Sequence, residues 1–363
     1  MRVLIADGGT GGHIFPALAV AEELQKRKGF ESVLFTGTEL GLEGELIPKH
    51  GYNVAFIRVG GLIGKSLARR IRTIMQLPLA FLESRTIIRK FRPDVVIGFG
   101  AYAAGPVLVA AHFRKIPVLL VEPNAVPGFT NRMALRFAKR IAVPFPDSNG
   151  IYTGKAVVTG VPVRPLKETS ISRKKFTVGI LGGSQGARAI NETIVSALPQ
   201  LAELRDRLHL IHQTGKNDFD AIRKEYEQVA PHFEVAPFID NMEQFYNRCD
   251  LLICRAGAVT LAEITALGKP AVLIPLPTST HGHQEENARR LHQAGAARMI
   301  LQKDFTATIL VDLLHEFLKF PAKLSKMAEA SKALGKPEAT QKVVDLALSL
   351  MQGNSGEISE ASR

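Results

Sequence analysis

Tryptophan is absent from this sequence of 363 residues, which has only five tyrosines and two cysteines. Tryptophan and tyrosine rings that could stack on nucleic-acid bases are therefore scarce, and a scaffold of several disulfides is excluded. Cys249 and Cys254 lack the spacing of a CxxC pair, and we predict that both are reduced thiols on one buried strand, as in a cytoplasmic protein. No apolar run approaches the roughly 18 residues that span a bilayer, and the first residues do not resemble a secretory signal.

The length predicts two domains, at about 150 residues per domain. Apolar residues make up 46% and charged residues 22% of the chain, which is typical of a soluble globular protein. The charge is distributed unevenly, because residues 1–163 hold 21 basic and 11 acidic side chains whereas the remaining residues hold 25 and 23. We therefore expect a negatively charged partner to bind the first half.

Short apolar runs alternate with helical segments along the whole chain. Runs without polar alternation are typical of parallel strands that are covered on both faces. Strand–helix alternation of this kind predicts an α/β protein with doubly wound parallel sheets. The predicted strands are Val3–Ala6, Val33–Thr36, Val54–Arg58, Val95–Gly98, Val118–Val121, Ile141–Val143, Val157–Thr159, Thr177–Leu181, Leu210–Gln213, Leu251–Cys254, Ala271–Ile274 and Arg298–Leu301.

A strand, a glycine-rich loop and a helix follow one another at two places in the chain. The loop of residues 8–13 follows the first strand, and the loop of residues 182–187 follows the strand at 177–181. This repeat predicts two Rossmann-like domains facing a cleft, residues 1–163 and 164–337, joined near the two prolines of residues 160–165. We also predict that a helix of about residues 338–352 packs back on the first domain and that residues 353–363 are a disordered tail.

Each glycine loop would let backbone N–H groups approach a phosphate at the positive end of a helix dipole. For either loop alone, a tight turn without a ligand is the alternative. The Walker pattern fails because Val59 stands where its first glycine should be, and the dinucleotide pattern fails because Ile14 stands in place of its third glycine. His281 and His283 have no carboxylate at a suitable spacing, so we predict no metal site and a diphosphate held by helix ends and neutral donors.

The second half carries a further group of polar residues at the carboxyl edge of its predicted sheet. Glu263 lies in the first turns of the helix that follows strand 251–254, where it could accept hydrogen bonds from two ribose hydroxyls or simply stabilise the helix dipole. Gln284 and Asn287 follow the next strand, and their amides can bind sugar hydroxyls. Each alone is more typical of plain surface, but their convergence with two glycine loops favours a binding site.

Four segments resemble the MurG family of bacterial lipid-I N-acetylglucosaminyltransferases. They are Gly8–Pro16, Gly160–Arg164, Gly182–Arg188 and Arg255–Glu263, and they span nearly the whole chain in the family's order. The resemblance implies a GT-B fold and activity without a metal or another cofactor. It implies inverting transfer of GlcNAc from UDP-GlcNAc to the C4 hydroxyl of MurNAc in undecaprenyl-pyrophosphoryl-MurNAc-pentapeptide (lipid I), which yields lipid II for peptidoglycan synthesis. A UDP-sugar epimerase of the same fold is the alternative.

The resemblance also implies which residues bind UDP-GlcNAc. Ser184 and the start of the helix after Gly257 would hold the diphosphate, Glu263 the ribose, and Arg164 with the Ile239 backbone would border uracil. Gln284, Asn124 and the first glycine loop would surround GlcNAc and the acceptor junction. Many relatives have glutamine at the position of Pro123, so any side-chain contact from it is lost. The full predicted set is Thr10, Gly11, Gly12, Asn124, Arg164, Ser184, Ile239, Ala258, Val259, Thr260, Leu261, Ala262, Glu263 and Gln284.

The transfer needs a base near the acceptor hydroxyl, and His13 is the predicted base. It ends the first glycine loop and titrates near about pH 6.5 if unperturbed. A histidine that only orders the loop is the alternative reading of His13, and Glu122 is the alternative base.

A basic segment in the first half predicts contact with an anionic membrane surface. Between Arg58 and Pro93 there are nine basic residues and one acidic residue, Glu83. Apolar residues recur there at helical spacing, which is typical of a helix that lies on anionic lipid or that packs into its own core. The interleaved residues are aliphatic, so no nucleic-acid partner is predicted. We predict a peripheral protein on the cytoplasmic side of the cell inner membrane, with contacts from Arg69, Arg70, Arg72, Ile74, Leu79 and Phe81.

Overall fold

The computed structural model describes residues 1–8, 11–39, 41–60, 67–147, 150–169, 174–183, 186–279 and 282–351, with the backbone alone for 67–72 and 74. The predicted tail of residues 353–363 lies outside this range. The chain forms two compact units. Unit 1 is Met1–Arg164 together with a C-terminal helix, and unit 2 is Pro165–Pro337.

The described part of unit 1 contains a seven-stranded parallel sheet in the order β3-β2-β1-β4-β5-β6-β7. Its central strands are buried along their whole length, which explains why their sequences are continuously apolar rather than alternating. The strands are β1 Arg2–Ala6, β2 Ser32–Gly37, β3 Asn53–Phe56, β4 Val95–Gly98, β5 Val118–Val121, β6 Arg140–Val143 and β7 Ala156–Val158.

Helices cover both faces of this sheet and bury two separate hydrophobic clusters. They are α1 Gly11–Gln25, α2 Glu43–Lys49, α3 Leu67–Phe91, α4 Ala101–Phe113, α5 Phe129–Ala134 and the C-terminal α13 Ala339–Met351. Helix α13 packs against α1, β4 and β5. Its residues Val343, Val344 and Ala347 are fully buried in the same cluster as Val3 and Ile97, so the end of the chain completes the core of unit 1.

In unit 2, the described residues form a six-stranded parallel sheet in the order β10-β9-β8-β11-β12-β13. Its strands are β8 Phe176–Leu181, β9 Leu208–Gln213, β10 Glu234–Ala236, β11 Leu251–Cys254, β12 Ala271–Leu273 and β13 Ala297–Met299. Its helices are α6 Arg188–Ala202, α7 Phe219–Val229, α8 Met242–Arg248, α9 Ala258–Ala266, α10 His283–Gln293, α11 Ala307–Lys319 and α12 Pro321–Leu334.

In each sheet the strand order reverses at one place, between β1 and β4 in unit 1 and between β8 and β11 in unit 2. Doubly wound sheets bind ligands outside the carboxyl ends of the strands at this reversal. The first glycine loop follows β1 and the second follows β8, so both lie at such a position.

Several local expectations differ from the structure. The edge strand β10 was not predicted, because its three residues include the exposed Glu234 and form no apolar run. Helix α1 begins at Gly11, so the end of the predicted glycine loop is already its first turn. Cys249 lies between α8 and β11 and only Cys254 is on the strand, although both thiols are buried. Helix α3 continues through Pro78, although a proline inside a helix removes a backbone donor and its ring crowds the carbonyl four residues earlier. None of the described helices combines the length and apolarity needed to cross a bilayer.

Candidate active site

Two helices of unit 2 begin next to the reversal of its sheet. The glycine loop before α6 packs closely: a Cβ on Gly182 would lie 2.3 Å from the Ala187 nitrogen, and one on Gly186 would lie 2.1 Å from the Thr214 carbonyl oxygen. Only glycine fits at these positions. Ser184, the predicted diphosphate ligand in this loop, lies outside the described residues. The loop carries the main chain to the N-terminus of α6, where backbone N–H groups favour an anion.

Helix α9 begins at the carboxyl end of β11, beside the loop after β8. Gly257 is its N-cap, and the predicted ligands Ala258, Val259 and Thr260 form its first turn. The first N–H groups of any helix lack partners within that helix and carry its positive dipole end. Backbone donors from α9 are therefore available to a phosphate group. Leu261 is buried, so its side chain packs in the protein interior.

Glu263 is a buried carboxylate of α9 with a defined orientation. The Tyr246 hydroxyl donates to its Oε2 at 2.7 Å, and the Tyr246 ring is itself fully buried in α8. A hydrogen bond to a carboxylate is stronger than one between neutral groups. Tyr246 therefore holds Glu263 against the rotation that an exposed first-turn acid would have. Binding of ribose by Glu263 stays a prediction.

The loops after β11 and β12 are tied together by side chains. The Arg255 guanidinium donates to the Ile274 carbonyl at 3.1 Å and to Gln302 Oε1 at 2.7 Å. Asn287, buried in α10, donates to the Ala256 carbonyl at 3.4 Å. Gln284 accepts from the Leu276 N–H at 3.0 Å, so its carbonyl end orders the loop before α10. His281 lies outside the described residues.

A buried glutamine that sequence reasoning did not select joins two other loops. The Gln213 side chain donates to the Gly183 carbonyl at 2.9 Å and accepts from the Ile239 N–H at 3.0 Å. Ile239 is the predicted neighbour of uracil, and its side chain is half-buried. The position of Gln213, the last residue of a predicted strand, was the signal that could have found it.

A buried neutral histidine belongs to a hydrogen-bond network beside the glycine loop of unit 2. His212 is fully buried, with Nδ1 at 3.0 Å from the Tyr226 hydroxyl and Nε2 at 3.1 Å from Asn191 Oδ1. Burial lowers the pKa of His212 to about 3. The Asn191 amide in turn donates to the Thr214 carbonyl at 2.9 Å, which is the oxygen that Gly186 approaches. This network therefore orders the glycine loop through the neutral His212, and the Asn191 amide also donates to Asp218 Oδ2 at 2.8 Å.

In unit 1, the first turn of α1 presents the predicted acceptor-side residues. Gly12 is exposed, and Gly11 and His13 are half-buried. Thr10 lies outside the described residues. Asp7 follows β1 directly and is completely buried. Burial raises the pKa of Asp7 well above its usual range.

Glu122 orders the loop that follows β5. Its carboxylate accepts four hydrogen bonds: from the backbone and side-chain nitrogens of Asn124 at 2.9 and 3.2 Å, from the Gly128 N–H at 2.9 Å and from the Asn131 amide at 2.9 Å. Burial raises the pKa of Glu122, and these hydrogen bonds oppose that shift. Asn124 is thereby fixed by two contacts to one carboxylate. Arg164, predicted to border uracil, is exposed at the end of unit 1.

Helix α3 exposes an apolar face. Met75, Leu79 and Leu82 are 76%, 43% and 55% exposed, and their spacing places them on one side of the helix. Phe81 is half-buried, with its ring edge against Phe113, whose own ring is mostly exposed. The side chains of Arg69, Arg70, Arg72 and Ile74 lie outside the described residues. Within the described range, no three His, Cys, Asp or Glu side chains are grouped as metal ligands would be.

The glycosyltransferase family 28 N-terminal domain matches residues 3–143, and the family 28 C-terminal domain matches residues 177–343. The chain belongs to glycosyltransferase family 28. The chain is 42% identical over 357 residues to a protein of Myxococcus xanthus (strain DK1622). The aligned region covers 97% of this chain and 93% of that relative. The relative is named UDP-N-acetylglucosamine–N-acetylmuramyl-(pentapeptide) pyrophosphoryl-undecaprenol N-acetylglucosamine transferase.

Solved structures agree with this membership. The crystal structure of Acinetobacter baumannii MurG matches the family-28 chain with a TM-score of 0.79 and 34% identity, over 96% of this chain and 99% of that one. The predicted resemblance and the GT-B fold class are therefore confirmed. UDP-GlcNAc 2-epimerase from Neisseria meningitidis, bound to UDP-GlcNAc, matches with a TM-score of 0.68 over 96% of this chain and 100% of that one. Its identity is 16%, so it shares the fold alone.

Proposed function

We propose that this protein transfers GlcNAc from UDP-GlcNAc to the C4 hydroxyl of MurNAc in undecaprenyl-pyrophosphoryl-MurNAc-pentapeptide. The observation that carries the proposal is the 42% identity over 97% of the chain to a transferase named for this pair of substrates. The epimerase alternative rests on likeness of fold at 16% identity, which supports it less.

Unit 2 binds the donor in this proposal. The diphosphate lies at the N-termini of α6 and α9, near Ser184 and the first turn of α9, and Glu263 accepts hydrogen bonds from the ribose hydroxyls. The Ile239 backbone and Arg164 border uracil, and Gln284 contacts GlcNAc. As the bond to the sugar breaks, negative charge grows on the leaving UDP. Fixed backbone donors at two helix ends stabilise that charge without reorganising during the reaction.

Unit 1 supplies the base and binds the acceptor. The acceptor C4 hydroxyl attacks the anomeric carbon, the bond from that carbon to the diphosphate breaks, and the hydroxyl proton passes to His13. Asn124, Gly11 and Gly12 contact the sugar and the acceptor. The four hydrogen bonds that Glu122 already accepts favour a role in ordering its loop and leave His13 as the base.

The first test is a transfer assay with labelled UDP-GlcNAc and a soluble lipid I analogue, with and without EDTA. We expect label in the disaccharide product and the same rate in both arms. Conversion of UDP-GlcNAc alone into an isomeric UDP-sugar would support the epimerase instead. Loss of activity in EDTA, restored by a divalent cation, would contradict the metal-free mechanism.

The membrane is the second part of the proposal, because the acceptor carries a polyprenyl chain. The exposed apolar side chains of α3 and the exposed Arg85 and Arg89 on the same helix support contact with an anionic lipid surface. Each basic side chain near such a surface contributes about 1 kcal/mol. We propose that the protein is peripheral and lies at the cytoplasmic face of the membrane.

Vesicle flotation tests this contact. We expect the double variant Leu79→Ser, Leu82→Ser to lose binding to vesicles of anionic phospholipid while it keeps transfer to the soluble analogue. The matched control is Ile309→Ser, Phe320→Ser, which removes two exposed apolar side chains from unit 2. Equal binding by both double variants would refute the assignment of α3.

A further inference from the structure

Gln213 lies between the two strands whose ends lead to the donor loops. In the register of the sheet, it pairs with Leu181 of β8 on one side and with Ala236 of β10 on the other. The chain leaves β8 into the glycine loop before α6 and leaves β10 into the segment that contains Ile239. Gln213 is thus the one residue of β9 that is level with the start of both loops.

Its side chain uses this position to bond to both loops at once. The amide nitrogen donates to the Gly183 carbonyl at 2.9 Å, and the amide oxygen accepts from the Ile239 N–H at 3.0 Å. A carboxamide can donate and accept at its two ends, whereas a carboxylate can only accept. Gln213 is 4% exposed, so water has little access to replace either bond. The bonds fix the carbonyl of one loop and the peptide plane of the other.

We propose that Gln213 is a positioning residue for the nucleotide, which sets the separation between the diphosphate loop and the peptide that borders uracil. This inference rests on the proposed function, because it requires UDP at these loops. Gly183 has a φ of +83°, a conformation that glycine adopts without strain, and its carbonyl also accepts from the Gly186 N–H at 3.0 Å. Gln213 therefore adds a contact from outside the loop to one made within it. The far end of the loop is held separately, since Gly186 packs on Thr214 and Asn191 bonds to the same carbonyl.

Two substitutions at this position separate the two bonds. Gln213→Met keeps the length of the side chain and removes both bonds. Gln213→Glu keeps an acceptor for the Ile239 N–H. It also brings a carboxylate oxygen next to the Gly183 carbonyl, and an ionised carboxylate cannot donate a hydrogen bond to that oxygen. The matched control is Asn247→Leu. The Asn247 amide is also buried, donates to the Lys167 carbonyl at 2.8 Å and accepts from the Thr169 N–H at 3.1 Å, away from both loops.

The measurements are steady-state kinetics for donor and acceptor, calorimetric titration with UDP and with CDP, and the midpoint of urea unfolding. For Gln213→Met we expect the donor KM and the UDP Kd to rise about tenfold, as for the loss of two buried hydrogen bonds. We expect the acceptor KM to stay within twofold of the wild type. Preference for UDP over CDP should fall in Gln213→Met and persist in Gln213→Glu, because only the latter still fixes the Ile239 peptide. Asn247→Leu should lower the unfolding midpoint and leave UDP binding unchanged.

An unchanged UDP Kd in a folded Gln213→Met protein would overturn the inference, as would an equal loss of UDP binding in Asn247→Leu. If Gln213→Met does not fold, Gln213→Glu decides: wild-type affinity for UDP in that variant contradicts the proposal. Failure of the proposed function has a different signature. The wild type would then show no transfer to the lipid I analogue, while the titrations with UDP would still report on Gln213.

Discussion

Removal of the Tyr246 hydroxyl tests the role of Glu263 with a single atom. Tyr246→Phe keeps the buried ring and leaves the Glu263 carboxylate without its 2.7 Å hydrogen bond. Buried hydrogen bonds to charged groups contribute about 1.5–3 kcal/mol, so we expect the free energy of unfolding to fall by about 2 kcal/mol. If Glu263 binds the ribose as proposed, part of that energy orients its carboxylate toward the ribose hydroxyls. We therefore expect the UDP Kd to rise about fivefold, equivalent to about 1 kcal/mol.

The assay that isolates this effect compares UDP with 2′,3′-dideoxy-UDP by calorimetry. The dideoxy nucleotide has no ribose hydroxyls and should bind more weakly than UDP. Its Kd should be the same in the wild type and in Tyr246→Phe. Tyr52→Phe is the control, since Tyr52 is also a buried tyrosine but packs on Phe35 in the core of unit 1. It should leave the affinity for UDP unchanged. If Tyr246→Phe weakens both nucleotides equally, or neither, then Glu263 does not bind the ribose as we reason.

Three further predictions concern titratable groups of the two units. His13→Ala should lower kcat by about 100-fold or more with the UDP-GlcNAc Kd within twofold of the wild type, and near-normal turnover would remove His13 from the base role. The pKa of His212 falls from about 6.5 unfolded to about 3 folded, so its contribution to stability is complete above pH 6.5 and is lost as the pH falls through that window. From pH 7 to pH 5, the free energy of unfolding measured in urea should fall by about 2 kcal/mol less in His212→Gln than in the wild type. Asp7 is the opposite case, because burial raises its pKa in the folded state, and the unfolded state therefore releases the Asp7 proton first as the pH rises above about 4. Asp7→Asn should gain stability relative to the wild type between pH 5 and pH 8. A gain only at low pH would contradict this sign.

The strands were predictable where burial on both faces left a continuous apolar run. Val95–Gly98, Val118–Val121 and Leu251–Cys254 have the same bounds in the structure as in the sequence prediction. Strand β10 has no such run, because an edge strand with exposed residues needs fewer apolar side chains. The start of α1 was placed too late because glycine has a low intrinsic helix propensity, which the tertiary context of the first turn overrides.

In the candidate site too, some features could be predicted from short segments of sequence, whereas others depend on tertiary packing. Glycine loops and helix starts follow strands directly, so their chemistry can be inferred from short segments such as Gly182–Arg188. Tyr246 could not be assigned to Glu263, because the two residues lie 17 positions apart on different helices, with strand β11 between them in the chain. Gln213 carried a partial signal, a polar residue at the carboxyl end of a predicted strand. Its two partners depend on the sheet order β10-β9-β8, which local patterns do not specify.

The burial of helix α13 in unit 1 has a consequence for biosynthesis. Val343, Val344 and Ala347 fill the same cluster as Val3 and Ile97, so the N-terminal unit lacks part of its interior until the last helix is synthesised. During translation, the apolar groove against α1, β4 and β5 stays open while the whole of Pro165–Pro337 emerges from the ribosome. We therefore expect a fragment that ends near Arg164 to expose this groove and to aggregate more readily than the full chain, and the last helix supplied as a separate peptide to oppose this.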